Sequence, residues 1–251
     1  MRYVIVGFGV AGIAAIEAIR SVDHTSEIVL VGDDPHGFYS RPGLAYFLTG
    51  ELHDKALYPR TSNDFKKLTF GTVRGRVMRI DRQQKLLEIE GKPPLNYDRL
   101  LLAVGAQAMP MKVSGADLEG VFKLDHMEDA KKILSHVRRG KTVVVIGGGI
   151  TALELVEGFV AHNMKVHYLL RGDRYWSNVL DEHESKIVEH RLQEEKVQLH
   201  YHSEIAEVTG KNGQVNGVEI AGWQDHKMRY GRLCHWHPSA GGTGESSRAE
   251  D

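Results

Sequence analysis

Cysteine is nearly absent: Cys234 is the only one in 251 residues. A single cysteine excludes a disulfide framework, and it excludes any dithiol redox centre built within one chain. No stretch approaches the roughly 18 apolar residues of a membrane span. The apolar run at residues 3–6 breaks at once into glycines and does not continue into a secretory leader. An excess of one charge is also missing, since 32 Lys and Arg stand against 33 Asp and Glu, a net charge of −1. That balance provides no field for capturing phosphate backbones or anionic lipid, so neither nucleic acid nor a membrane is an expected partner. The expected setting is a reducing cytoplasm.

Glycine, by contrast, is in surplus. The chain has 27, roughly nine more than the average usage of about 7% would give. The length is too great for one ordinary domain of about 150 residues and too small for two large ones, so two domains are expected, one of them incomplete.

The glycines fall at two places of the same design. Arg2-Tyr3-Val4-Ile5-Val6 reads as a buried strand and runs into Gly7-Phe8-Gly9-Val10-Ala11-Gly12, then into an Ala-rich helix pattern and a second apolar run ending near Asp33. The scheme returns 140 positions later: Thr142–Ile146, then Gly147-Gly148-Gly149-Ile150-Thr151-Ala152, a helix, and a strand over 165–170. A strand feeding G-x-G-x-x-G and a helix suits a dinucleotide. The first glycine allows the tight turn, the second admits the pyrophosphate to the backbone, and the third lets helix and strand pack closely. Asp33, 21 residues after Gly12, stands where an acid accepts hydrogen bonds from ribose hydroxyls.

The second turn departs from the pattern. Its third glycine is Ala152, an accepted variant, and its second strand ends in Leu169-Leu170-Arg171-Gly172-Asp173-Arg174 with no acid. Arg171 and Arg174 suit a 2′-phosphate and lean the site toward NADPH; solvated loop arginines are the competing explanation. Between the turns, 77–80, 85–89 and 97–104 read as a β-meander, 127–137 as a helix, and a further helix over 181–195 and strand over 197–201 precede a second meander reaching 220. The fold class expected is α/β, with two Rossmann-like domains carrying β-meander insertions and the first domain incomplete. The expected division is 1–110 for a first dinucleotide-binding part, 111–233 for a second dinucleotide-binding domain, and 234–251 as an irregular tail.

This arrangement resembles the FAD-dependent pyridine nucleotide-disulfide oxidoreductases, in the branch of rubredoxin, ferredoxin and nitrite reductase flavoproteins. Four matches in order carry the resemblance, which runs from residue 1 to about 232. They are the turn Gly7–Gly12 with Asp33, the segment Phe38-Tyr39-Ser40-Arg41-Pro42-Gly43-Leu44, the stretch Tyr97–Ala106, and the second turn with Glu154. The resemblance implies FAD on the first unit, held by Gly7, Gly9, Val10, Ala11, Gly12 and Asp33. Arg41 and Pro42 would lie near the flavin or its phosphates, and Val77 would offer backbone contacts to adenine. Ala103-Val104-Gly105 stands where the family has Ala-Thr-Gly, with Ala103 and Gly105 near the crossover between the domains. On the second unit Gly147, Gly149, Ile150 and Ala152 would hold NAD(P)H, with Arg171 and Arg174 at its adenosine end.

Glu154 matches the catalytic acid beside nicotinamide and flavin. Related members often pair it with a lysine, for which Tyr46 stands here. Redox cysteines of the disulfide- and peroxide-reducing members are missing, which implies an external electron acceptor: a redox protein or a small oxidant. The activity implied is that of an FAD-dependent NAD(P)H oxidoreductase; a non-catalytic nucleotide-binding remnant and a flavin monooxygenase are the alternatives. The 14 histidines, His200-x-His202 and His235-x-His237 among them, lack the Cys or acid partners of a metal site, and none is expected. The oligomeric state is left open.

Family members continue through a strand ending in Ala-x-Gly-x-x-Pro and a later Gly-Asp motif. The segment from Cys234 to Asp251 has neither, and shows no strand or helix periodicity. Read one base downstream, compatible codons spell Ala-Ile-Gly-Ile-Arg-Pro, so the tail is expected to be a frameshift product, with weak FAD retention as its consequence.

Overall fold

The computed structural model describes residues 1–221, 227–228 and 233–235. The chain divides into two compact units. One comprises 1–43 and 53–106, the other 44–52 and 107–251. Each is an α/β unit, so the α/β class expected from the repeated turn is the class found.

In the first unit the apolar run becomes strand β1 (Arg2–Val6), and helix α1 (Val10–Val22) and strand β2 (Glu27–Gly32) follow. Helix α2 (Gly43–Thr49), of which 44–49 belongs to the other unit, a 3-10 turn Asp54–Leu57 and helix α3 (Ser62–Leu68) come next. Strands β3 (Gly71–Arg74), β4 (Val77–Asp81), β5 (Leu86–Ile89), β6 (Leu95–Asn96) and β7 (Arg99–Leu102) complete it. A parallel sheet runs in the order β3-β2-β1-β7, and β4-β5-β6 form a separate antiparallel sheet.

Alternation along β1 and β2 explains the layers. Val4, Val6, Val29 and Val31 turn one face of the sheet to Leu87 and Ile89 of the small sheet. Ile5, Ile28 and Leu30 turn the other to Ile13 and Ile16 of α1. Each such side chain, fully buried, contributes roughly 1.5–3 kcal/mol. A strand buried on both faces reads as a continuous apolar run, as both do here.

Two expectations are corrected. Residues 97–104 were expected to close the first meander; β6 closes it, and β7 instead pairs in parallel with β1, Val4 opposite Leu100. Its unbroken Leu100-Leu101-Leu102 run belongs to a parallel sheet more naturally than to an alternating meander. Strand β3, paired with β2 through Val29 and Gly71, was not anticipated, because Gly71-Thr72-Val73-Arg74 is short and only one of its residues is apolar.

The second unit contains β8 (Val121–Phe122), α4 (Met127–His136), β9 (Thr142–Ile146), α5 (Ile150–Ala161), β10 (Lys165–Leu169), α6 (Glu182–Glu194) and β11 (Gln198–His200). Strands β12 (Ile205–Lys211), β13 (Gln214–Ile220), β14 (Lys227–Met228) and β15 (Leu233–His235) follow. The parallel sheet has the order β11-β10-β9-β15-β8, and β12-β13-β14 form an antiparallel meander. Val144 and Leu169 pack against Val208, Val215, Val218 and Ile220 of that meander. Cys234 and His235, expected in an irregular tail, lie in β15 between β9 and β8, because the sheet offers them two parallel neighbours. The remainder of the proposed tail, 236–251, lies outside the described residues.

His200 and His202 do not share a strand face: β11 ends at His200, and His202 adopts a left-handed backbone with φ of 49°. His200 pairs instead with His167 on β10, the rings stacked and Nδ1 of His167 2.9 Å from Nε2 of His200. No group of three or more His, Cys, Asp or Glu among the described residues could hold a metal ion. No described helix is long and apolar enough to cross a membrane.

Candidate dinucleotide sites

In each parallel sheet one strand, β1 in the first and β9 in the second, runs into a glycine turn and the turn into a helix. In the first unit Gly7 has φ of 121°, and a Cβ there would lie 2.1 Å from the Ala103 carbonyl oxygen. Its amide donates to the Val31 carbonyl at 2.8 Å, and the Ala103 amide to that of Val6 at 2.8 Å. A Cβ on Gly12 would lie 2.2 Å from the Gly7 carbonyl oxygen. These two glycines are therefore required by the protein's own backbone.

Gly9 is different. Its φ of −74° is open to any residue, and a Cβ there would meet nothing within 4 Å. The fold does not need this glycine, and the space beside its backbone is open.

Capping separates α1 and α5 from two other helices. Thr61 and Asp181 close α3 and α6 with capping boxes, each with an acid three residues on. Gly9 and Gly149 start α1 and α5 with no side-chain cap and no acid in the first turn. The first amides of both helices, on exposed Val10 and Ala11 and on exposed Ile150, thus point outward with the positive end of the helix dipole. Such ends hold phosphate.

The other first-unit residues fall around this turn in varied ways. Asp33 is exposed just beyond β2, and Oδ2 accepts from Nε of Arg76 at 3.0 Å. Arg76 was not anticipated, although it stands next to Val77, the first residue of β4. Arg41 Nη1 would lie 3.7 Å from a Cβ on Gly105, whose φ is 68°. Pro42, next to Arg41, is exposed.

In the second unit Gly147 has φ of 134° and its amide approaches the Leu169 carbonyl at 3.4 Å. Ala152 is fully buried in the first turn of α5, so a methyl group fits at the third position. Glu154 is half-buried on α5, where burial first and the Glu157 carboxylate second push its pKa above the ordinary glutamate value. Glu157, one turn on, is raised in the same direction. Tyr46 is exposed.

Beside these, a cavity of about 280 Å³ opens at the ends of β9, β10 and β11. Met109, Met111, Val113, Ile146 and Ile205 give it apolar walls, and Lys112, Arg171 and Glu204 are its charged groups. Arg171 Nε lies 3.6 Å from Glu204 Oε1. Arg174 does not line the cavity: Nη1 lies 3.3 Å from Asp173 and Nη2 donates to the Ser177 carbonyl at 3.2 Å. The structure thus separates two arginines that sequence spacing had grouped. Glu204 lies 33 residues beyond Arg171, with no motif to announce it.

The sequence profile of the family described as pyridine nucleotide-disulphide oxidoreductase matches residues 1–230. The rubredoxin-NAD(+) reductase of Pseudomonas putida is 29% identical over 218 residues, covering 86% of this chain and 57% of its own. The ferredoxin–NAD(+) reductase component of the biphenyl dioxygenase system of Paraburkholderia xenovorans is 30% identical over 226 residues, covering 86% and 53%. Among solved structures, the covalent putidaredoxin reductase–putidaredoxin complex superposes with a TM-score of 0.88 at 25% identity, over 94% of this chain and 58% of that one. The chain spans about half the length of these relatives.

Proposed function

The chain belongs to the pyridine nucleotide-disulphide oxidoreductases, and on that premise we propose that it is the nucleotide-binding part of an FAD-dependent NAD(P)H oxidoreductase that delivers electrons to an external acceptor. The observation that carries this reading is the pair of uncapped glycine-turn helices, one in each unit, of which α1 begins at a glycine that its own fold does not require. Two such ends in one chain suit two dinucleotides, FAD on the first unit and NAD(P)H on the second.

The residues would divide the work as follows. The amides of Val10 and Ala11 would hold the FAD pyrophosphate, and Asp33, positioned by Arg76, would accept from its ribose hydroxyls. Arg41, Pro42, Val77, Ala103 and Gly105 complete this proposed site. Gly147, Gly149, Ile150 and Ala152 would hold the nicotinamide dinucleotide, and Arg171 at the cavity mouth would meet a 2′-phosphate when one is present. Bound flavin supplies a hydride acceptor that can pass electrons on one at a time. Glu154, its pKa raised by burial, would hold a proton near the reacting rings at a higher pH than an ordinary glutamate.

The relatives named above are reductases for rubredoxin and ferredoxin; a small redox protein is therefore the acceptor proposed here, and the relatives favour neither a monooxygenase nor a non-catalytic remnant. A reducing compartment such as the cytoplasm suits a chain with one cysteine.

Anaerobic titration tests this directly. Protein loaded with FAD should bleach at its yellow absorption band on addition of NADH or NADPH, and Arg171→Glu should lower the NADPH response more than the NADH response. Protein that binds neither FAD nor nicotinamide nucleotide contradicts the proposal.

A further inference from the structure

Strand β10 runs into Leu170, which is buried and carries no carboxylate for a ribose. A carboxylate reaches the same cavity instead from the segment between β11 and β12. Glu204 stands one residue before β12, with Oε1 3.6 Å from Nε of Arg171, and both side chains line the 280 Å³ cavity. We propose that Glu204 is a specificity-determining residue for the nicotinamide nucleotide. Its carboxylate accepts from the adenosine ribose hydroxyls of NADH and holds Arg171 back from the 2′-phosphate of NADPH, so that the site takes both. This inference rests on the nucleotide-binding reading of the second unit.

The physical argument is a competition at one guanidinium. The Arg171 and Glu204 side chains are 53% and 62% exposed, and an ion pair that wet is weakly held. A 2′-phosphate with a charge of about −1.5 to −2 competes for Arg171. In winning it, that phosphate comes to lie beside the Glu204 carboxylate, and like charges repel. A ribose without phosphate presents two hydroxyl donors, which a charged acceptor binds more strongly than a neutral one. Lys112, the other cation lining the cavity, favours the nucleotide with the extra phosphate, and it is the same in wild type and in Glu204 variants, so a change between them reads Glu204. The same carboxylate therefore opposes one nucleotide and favours the other.

Nicotinamide fluorescence on titrating NADH and NADPH into the 251-residue chain, and into Glu204→Gln and Glu204→Ala, reads this out. Expected are wild-type dissociation constants within about tenfold of each other. In both variants NADPH should bind tighter and NADH weaker, each by about fivefold, the equivalent of one screened charge interaction near 1 kcal/mol. Displacement by 2′,5′-ADP and 5′-AMP should follow the same change of ratio, which assigns it to the adenosine half. Glu204 is exposed, so the substitutions leave the fold intact. Binding of both nucleotides with an unmoved ratio overturns the role of Glu204 and leaves the nucleotide-binding reading standing. Failure of the wild-type chain to bind either nucleotide overturns that reading, and the inference with it.

Discussion

The Ala103 carbonyl oxygen occupies the space that a Cβ on Gly7 would need, 2.1 Å from its position. The left-handed φ of Gly7 and this contact make the first glycine structural, whereas Gly9, two residues on, has an ordinary φ and open space around it. Substitution should separate the two. Gly7→Ala should destabilise the first unit by about 2 kcal/mol or more, from backbone strain and displacement of the Ala103 peptide. Gly9→Ala should change stability by less than about 1 kcal/mol and, if FAD binds as proposed, weaken its binding by at least about tenfold, because the added methyl group would stand in the path proposed for the pyrophosphate. Urea unfolding and flavin fluorescence quenching measure the two effects. Equal losses of stability in both variants would contradict this division.

Glu154 and Glu157 lie one turn apart on α5, and both have raised pKa values, burial being the first cause in each. The folded chain therefore binds protons at these sites more tightly than the unfolded chain does. Their stabilising contribution is full below the ordinary glutamate range and is lost as the pH rises through the raised values. Glu157→Gln should consequently raise stability at pH 7 by a few tenths of a kcal/mol to about 1 kcal/mol, given the solvent screening of half-exposed groups. At pH 4 it should change little. Thermal melts across pH 4–8 check the sign; a variant less stable at pH 7 than wild type would contradict it.

The stacked pair His167 and His200 predicts the opposite trend. Burial, followed by the neighbouring His200, lowers His167 to about 4, and burial lowers His200 as well. Both rings are held neutral in the folded chain but accept protons near pH 6.5 in the unfolded one, so the stability they confer is present above that pH and is lost as the pH falls toward 4. His167→Asn should flatten the stability profile between pH 6.5 and 4. A proton NMR titration should find the His167 ring still neutral at pH 5; an imidazolium signal there would refute the assignment.

How much of this was legible in the sequence depended on range. Both strand–turn–helix units could be read because neighbouring residues decide them: β-branched runs, then a turn opened by Gly7 or Gly147, whose φ other residues rarely adopt, then helix formers. The placement of β7 could not be read from its neighbours. Arg99–Leu102 looks like another meander strand until β1 is seen to lack a partner on that side. The same limit applies at the sites. Asp33 was evident from its spacing after Gly12, but Arg76, which donates to its carboxylate, is 43 residues away. Glu204 meets Arg171 only because β10 and β11 are adjacent in the sheet. Arg174 looked equivalent to Arg171 until the turn at 173–177 was found to engage its guanidinium.

The position of β7 has a physical cost that a substitution can expose. Among the described residues its one strand partner is β1, and Leu101 and Leu102 are 43% and 54% exposed. An unpaired edge with apolar side chains is a template for strand addition from another chain. Self-association of the isolated 251-residue chain should therefore rise with concentration. Leu102→Lys should suppress it, since a lysine on an edge strand must be desolvated before a second strand can pair there. The substitution removes little buried area, so the melting temperature should move by no more than a few degrees. Light scattering over a concentration series, read alongside thermal melts, tests both statements. If Leu102→Lys associates as readily as wild type, the edge of β7 is not the surface through which copies meet.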